Sequence, residues 1–108
     1  MSHRTLIVAR MDPADAERVA DIFAESDAGT LPRRIGVTRR SLFSFHGLYF
    51  HLIEAERDIG PALAVHRDDP DFLDINRRLS AYITAYDPQT WRGPRDAMAR
   101  EFYTWQAS

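Results

Sequence analysis

Two Asp-Pro dipeptides, Asp12-Pro13 and Asp69-Pro70, each stand directly before a run of apolar residues at helical spacing, and a His46-Gly47 turn signal stands between them. An Asp can cap the first exposed N–H groups of a helix, and Pro suits the first turn, where its missing N–H is no loss. Ala16, Val19, Ala20, Ile22 and Phe23 follow the first dipeptide and predict a helix over 13–27. Phe72, Ile75, Asn76, Leu79, Tyr82 and Ile83 follow the second and predict a helix over 70–83. His46-Gly47 divides VTRRSLFSF from LYFHLIEAE, which predicts a hairpin with strands over 37–45 and 48–56. RTLIVAR at 4–10 predicts a first strand and EFYTWQA at 101–107 a last one. Gly60 and Pro61 leave room only for a brief helix near 61–66, and 85–100, with two prolines, a glycine and a tryptophan, reads mostly as a loop able to serve as a lid. The resulting order β, α, β, β, α, β is the ferredoxin-like arrangement: an α+β fold with one antiparallel sheet and both main helices on one face.

A chain of 108 residues has room for one domain, here 1–108, that buries roughly two-thirds of its unfolded surface. Both faces of several strands are apolar, as in Leu6 and Val8 against Ile7 and Ala9. A sheet covered on one side only would expose a large greasy patch, so two copies are expected to pack sheet against sheet as a homodimer. With no cysteine, disulfides and thiolate chemistry are excluded. All 14 cationic side chains are Arg, and the net charge of -2 gives no reason to expect nucleic acid. The N-terminal MSHRTLIVARMDP lacks the long apolar stretch of a signal peptide, which makes a cytoplasmic protein, away from the membrane, the expectation. GxGxxG, GxxxxGK and GxSxG are absent, and the four histidines have no ligand spacing, so neither cofactor nor metal is expected.

A two-residue turn at His46-Gly47 fixes the hairpin register: Phe45 faces Leu48, Leu42 faces His51 and Arg40 faces Ile53. Alternation then directs Thr38, Arg40, Leu42, Ser44, Tyr49, His51 and Ile53 to one face. A cation beside an imidazole favours the neutral ring, the form able to accept a proton. Asp27 lies four residues after Phe23 and extends the inward stripe of the first helix, with Ser26 on its neighbouring edge. Asp27 would orient His51 or share acid–base work with it. Each residue also has a purely structural alternative: His51 as a satisfied strand histidine, Arg40 as an edge cation, Asp27 as a polar helix end. Arg39 and Glu54 look like an exposed cross-strand pair, His46 like a turn residue, and His3 and His66 like surface residues. Tyr49, Tyr82, Tyr86, Trp91 and Trp105 supply aromatic surface for a planar apolar ligand; Ser26, Tyr49, Tyr82 and Trp91 are the candidate substrate contacts.

The segment ARMDPADAERVADIFAESDAGTLPRRIGVTRRSLFSFHGLYFHLIEAE, with HRDDPDFLDINRRLSAYI and the closing FYTW, resembles the tetracenomycin-type (type II) aromatic polyketide cyclases. The likeness runs along essentially the whole chain. It rests on the MDP helix start, the D-x-x-x-LP turn, the V-x-R-R strand and the F-H-x-L-Y-x-H-L-I-E hairpin. The resemblance implies a ferredoxin-like subunit that dimerises through its sheets into an α/β barrel, with a pocket between sheet and helices. It implies cofactor-free intramolecular aldol condensation of a poly-β-ketone, followed by dehydration and aromatisation, in antibiotic or pigment biosynthesis. Its polar pocket positions fall on Asp27, Arg40 and His51; where related cyclases carry a histidine before the aspartate, this chain has Ser26.

In that reading His51 moves the proton, Arg40 stabilises the developing oxyanion, and Asp27 orients His51 or protonates the departing hydroxyl. Two rivals remain: a cofactor-independent monooxygenase that oxidises a phenolic polycycle, and a non-catalytic binding module of a polyketide synthase assembly. Arg33, Arg34 and Arg39 would attract an acidic acyl-carrier protein as a further partner.

Overall fold

The computed structural model describes residues 3–107, so the first two residues of the stretch read against a signal peptide lie outside it. Asp12 does cap as expected, accepting a hydrogen bond from the Ala14 N–H, and a single 3-10 turn, Pro13–Asp15, leads into α1, Ala16–Asp27. Asp69 does the same for the Asp71 N–H at the start of α4, Pro70–Leu79. A third cap, Asp58 to the Gly60 N–H, starts α3, Ile59–His66, earlier than the glycine and proline there suggested. A short α2, Leu31–Ile35, ends on Gly36 at φ 98, a left-handed stop that glycine adopts without strain.

Strand β1, His3–Met11, lies inside a four-stranded antiparallel sheet of order β2-β3-β1-β4, with β2 Val37–Phe45, β3 Leu48–Ala55 and β4 Ile83–Ala85. His46 and Gly47 have φ 47 and 79, the two positive values of a type I′ turn, and this fixes Phe45 against Leu48, Leu42 against His51 and Arg40 against Ile53. A bulge between Val37 and Arg39 interrupts the alternation at Thr38, whose hydroxyl donates to the Glu54 carbonyl. The alternation that aligns Arg40 with Leu42 and Ser44 therefore does not extend back to Thr38.

One sheet face meets the helices. Ala9, Met11 and Tyr49 pack with Val19, Ile22 and Phe23 of α1, Leu31 of α2 and Ile75 of α4 in one cluster. Ile53, Ala55 and Ile59 form a second, and Ile7 and Ile35 pack against both. On β3 the buried residues run Tyr49, His51, Ile53, so the histidine stands between the two clusters.

Two expectations about the sheet are corrected. The last strand is not 101–107. Tyr82 and Ile83 continue the apolar stripe of the second helix because both pack against the main cluster, but the helix stops at Leu79 and Ile83–Ala85 pairs with Ala9–Met11 as β4. The free edge of β1 is then taken up further by Met98, bridged to Ile7, and by the Ala99 N–H bonded to the Leu6 carbonyl. Residues 101–107 find no ladder position; Arg4 holds Glu101 and Thr104, while Phe102, Tyr103 and Trp105 stay exposed. Nor does the sheet close into the α/β barrel. It is an open sheet with β2 and β4 as its edges, and four strands are about half the number at which a closed barrel can be filled by side chains.

Candidate active site

Arg40, on β2, organises the polar site. Its Nε donates to both carboxylate oxygens of Asp27, at 3.2 and 3.1 Å, and its Nη2 to Oδ1 at 2.9 Å. Its Nη1 lies 2.8 Å from Nε2 of His51. A guanidinium can only donate, so Nε2 accepts and the ring proton sits on Nδ1. The guanidinium carbon lies over the Phe23 ring, 4.7 Å from its centroid, and the same ring meets His51 edge-on at 5.0 Å. Phe23 thus fixes both partners at once, and the helical phase that puts Asp27 one turn beyond it brings the carboxylate to the same place. An anion at the last residue of α1 opposes the helix dipole, and the Arg40 charge offsets that penalty.

The three residues singled out by register and helix phase therefore meet, but in the order Asp27, Arg40, His51. Asp27 bonds the arginine, and no hydrogen bond joins it to the histidine among the described residues. His51 is 6% exposed, and burial first, then the neighbouring Arg40 charge, lower its pKa from 6.5 to about 3. The ring is neutral at any ordinary pH. Arg40 is nearly enclosed, at 14% side-chain exposure, whereas Asp27 at 39% opens to solvent.

Beside this triad runs a cleft of about 320 Å³, lined by Met11, Ala16, Glu17, Val19, Ala20, Leu42, Phe43, Ser44 and Tyr49. Arg40, His51 and Asp27 do not line it, yet it abuts them: Leu42 is the cross-strand partner of His51, and Tyr49 lies two residues before it on the same face, with ring centroids 6.2 Å apart. Of the four candidate substrate contacts only Tyr49 lines the cleft. Tyr82 packs against the main core, and Trp91 lines a separate hollow of about 50 Å³ with Tyr86 and Asp96. Ser26 is half-buried, and its side chain makes no hydrogen bond to the triad among the described residues. Sequence reasoning missed Glu17, whose only signal was its place in the first turn of α1, beside Ala16. No group of three or more His, Asp or Glu residues able to hold a metal ion occurs among the described residues. No helix among them is long and apolar enough to cross a membrane.

Comparison with known proteins gives a consistent result. A family profile described as polyketide synthesis cyclase matches residues 3–106. The chain is 52% identical to polyketide synthase CurG of Streptomyces cyaneus, over 96% of this chain and 97% of that protein. It is 51% identical to tetracenomycin F2 cyclase of Streptomyces glaucescens, over 99% of this chain and 97% of that one. The solved structure of tetracenomycin F2 cyclase, described as a type-II polyketide cyclase, superposes with a TM-score of 0.92 over 98% of this chain and 99% of that chain. A solved antibiotic biosynthesis monooxygenase superposes with a TM-score of 0.52 at 21% identity, covering 77% of this chain and 86% of that one, a likeness of fold alone.

Proposed function

Given that the chain belongs to the polyketide synthesis cyclase family, we propose that this polyketide cyclase closes its ring by intramolecular aldol condensation, with Arg40 as the oxyanion site and Asp27 as the proton carrier. The observation that carries this reading is the guanidinium held between a carboxylate and a neutral imidazole at the edge of an apolar cleft. A guanidinium has five N–H bonds. Asp27 takes the one on Nε and one on Nη2, and His51 takes one on Nη1, leaving one on each terminal nitrogen for a substrate oxygen.

The methylene between two ketones is already acidic for a carbon acid, so a carboxylate suffices as base when the enolate is stabilised. Asp27 takes the methylene proton, and the negative charge moves from the carboxylate to an enolate oxygen beside the same guanidinium. The enolate carbon then attacks the chosen carbonyl, the new carbon–carbon bond forms, and the alkoxide recovers the proton from Asp27. Dehydration repeats the cycle: the carboxylate removes a ring proton, and the hydroxyl leaves with it as water. His51 is better suited to holding Arg40 than to moving the proton, because its Nε2 lone pair is already engaged and protonation would set two cations face to face. Holding the chain folded in a shaped apolar cleft supplies several kcal/mol more of the barrier.

The remaining partners belong to the same proposal. The outer sheet face carries Leu6, Val8, Leu48, Phe50 and Leu52 with Phe43 and Phe45 more than half exposed, and a second copy of the chain is the occupant we propose for it. Sedimentation equilibrium should then give twice 12.4 kDa, and Phe43→Glu with Phe45→Glu should give 12.4 kDa. Arg34 is already paired with Asp69 and Asp71, and Arg39 with Glu54, which favours a substrate free of its acyl-carrier protein. The proposed setting is the cytoplasm.

The test is incubation of purified protein with a reactive linear or partly cyclised poly-β-ketone and identification of the product by mass spectrometry. Loss of one water with ring closure, abolished in Asp27→Asn and Arg40→Ala, supports the reading. Uptake of oxygen with a gain of one oxygen atom would assign the chain to oxidation instead. An unchanged product profile in alanine variants of all three residues would make it a binding module.

A further inference from the structure

The cleft beside the triad is apolar except at Glu17, Ser44 and Tyr49. Ser44 and Tyr49 face each other across the hairpin, the serine exposed at the rim and the tyrosine 3% exposed on the floor. Among the described residues no group hydrogen-bonds the Tyr49 hydroxyl, yet no fully sealed side-chain polar atom is left without a partner. The hydroxyl must therefore reach the open space that its residue lines. Phenylalanine would fill the same volume there, so the hydroxyl adds only a donor aimed into the cleft. Burial also pushes the Tyr49 pKa up, only partly offset by Arg40, so the group keeps its proton and stays a donor. Its ring stands 6.2 Å from that of His51, which is in turn bonded to Arg40. The tyrosine and the arginine thus flank one imidazole, on the side where the cleft abuts the triad.

A poly-β-ketone carries an oxygen on every second carbon, and successive units are chemically alike. An apolar cleft cannot count them, since a chain that slides by one unit presents almost the same surface. Choice of ring requires a polar contact at a fixed distance from the reacting oxygen. We propose that Tyr49 is a specificity-determining residue whose hydroxyl donates a hydrogen bond to one non-reacting keto or phenolic oxygen in the cleft, and so sets which carbonyl reaches Arg40. This rests on the cyclase reading above, and its test separates the two.

Tyr49→Phe removes only the hydroxyl, with Tyr103→Phe on the exposed C-terminal segment as control. Two measurements are made: affinity for 1,8-dihydroxyanthraquinone by titration calorimetry, and products and steady-state kinetics with the reactive polyketone. In Tyr49→Phe the dissociation constant and KM should rise roughly three- to tenfold, the size of one neutral hydrogen bond. Its kcat should stay within about threefold of wild type, the product should split between ring-closure isomers, and the melting temperature should hold or rise. Equal affinity in the two proteins, no binding of the anthraquinone by wild type, or a fallen kcat with a single unchanged product each overturns the proposal. If wild type closes no ring at all, the cyclase reading fails. The calorimetric comparison then decides by itself whether the hydroxyl meets a ligand oxygen.

Discussion

His51 should make this protein lose stability in a pH range where most proteins are still unperturbed by acid. In the unfolded chain the ring takes up a proton as pH falls through 6.5; in the folded chain, buried and faced by Arg40 with Asp27 beyond it, it does so only near 3. The folded pKa is depressed, so stability is at its full value above pH 6.5 and is lost progressively down to about pH 3. Within that window unfolding takes up close to one proton, which lowers the unfolding free energy by about 1.4 kcal/mol per pH unit. From pH 7 to 4.5 the loss should be about 2 to 3 kcal/mol, a large share of the 5–15 kcal/mol typical of a domain. Asp69, whose pKa is also lowered, starts from 3.8, so its own loss belongs to pH values below the 7 to 4.5 range. Urea unfolding followed by far-ultraviolet circular dichroism at half-unit pH steps measures the slope. His51→Gln keeps an acceptor for Arg40 but cannot titrate, so its curve should be nearly flat over the same range. A flat wild-type curve, or a slope that survives in His51→Gln, would refute the buried neutral imidazole.

Arg40→Lys keeps the charge but cannot bond Asp27 and His51 together; the fold should persist by circular dichroism while cyclisation slows roughly 100-fold. Asp27→Asn should lower stability by about 1 kcal/mol or less, because the pair is partly open to solvent, yet lower kcat roughly 100-fold or more as the base is lost. Phe23→Ala removes the ring that both Arg40 and His51 lean on and should cost about 3–5 kcal/mol in urea denaturation. Gly47→Ala meets no atom within 4 Å, so its effect should be strain alone at φ 79, about 1–2 kcal/mol.

What could be read from the chain was whatever a few neighbouring residues settle among themselves. Asp12 and Asp69 cap within two residues of their own position, and His46-Gly47 forces a two-residue turn that pairs Leu42 with His51 without help from the rest of the molecule. Helix phase does the same for Phe23 and Asp27. These local rules brought all three triad residues to one place. They did not reveal the order in which the residues bond, because a guanidinium on a long flexible stem chooses its partners only when α1 and the hairpin are packed together. Nor did they locate β4: Ile83–Ala85 and 101–107 both carry strand-forming residues, and which of them pairs depends on the free edge of β1, a surface that exists only in the folded sheet. Whether that sheet stays open was likewise beyond reach, since closure depends on how many strands assemble side by side, and residue pattern along one strand says nothing of that number.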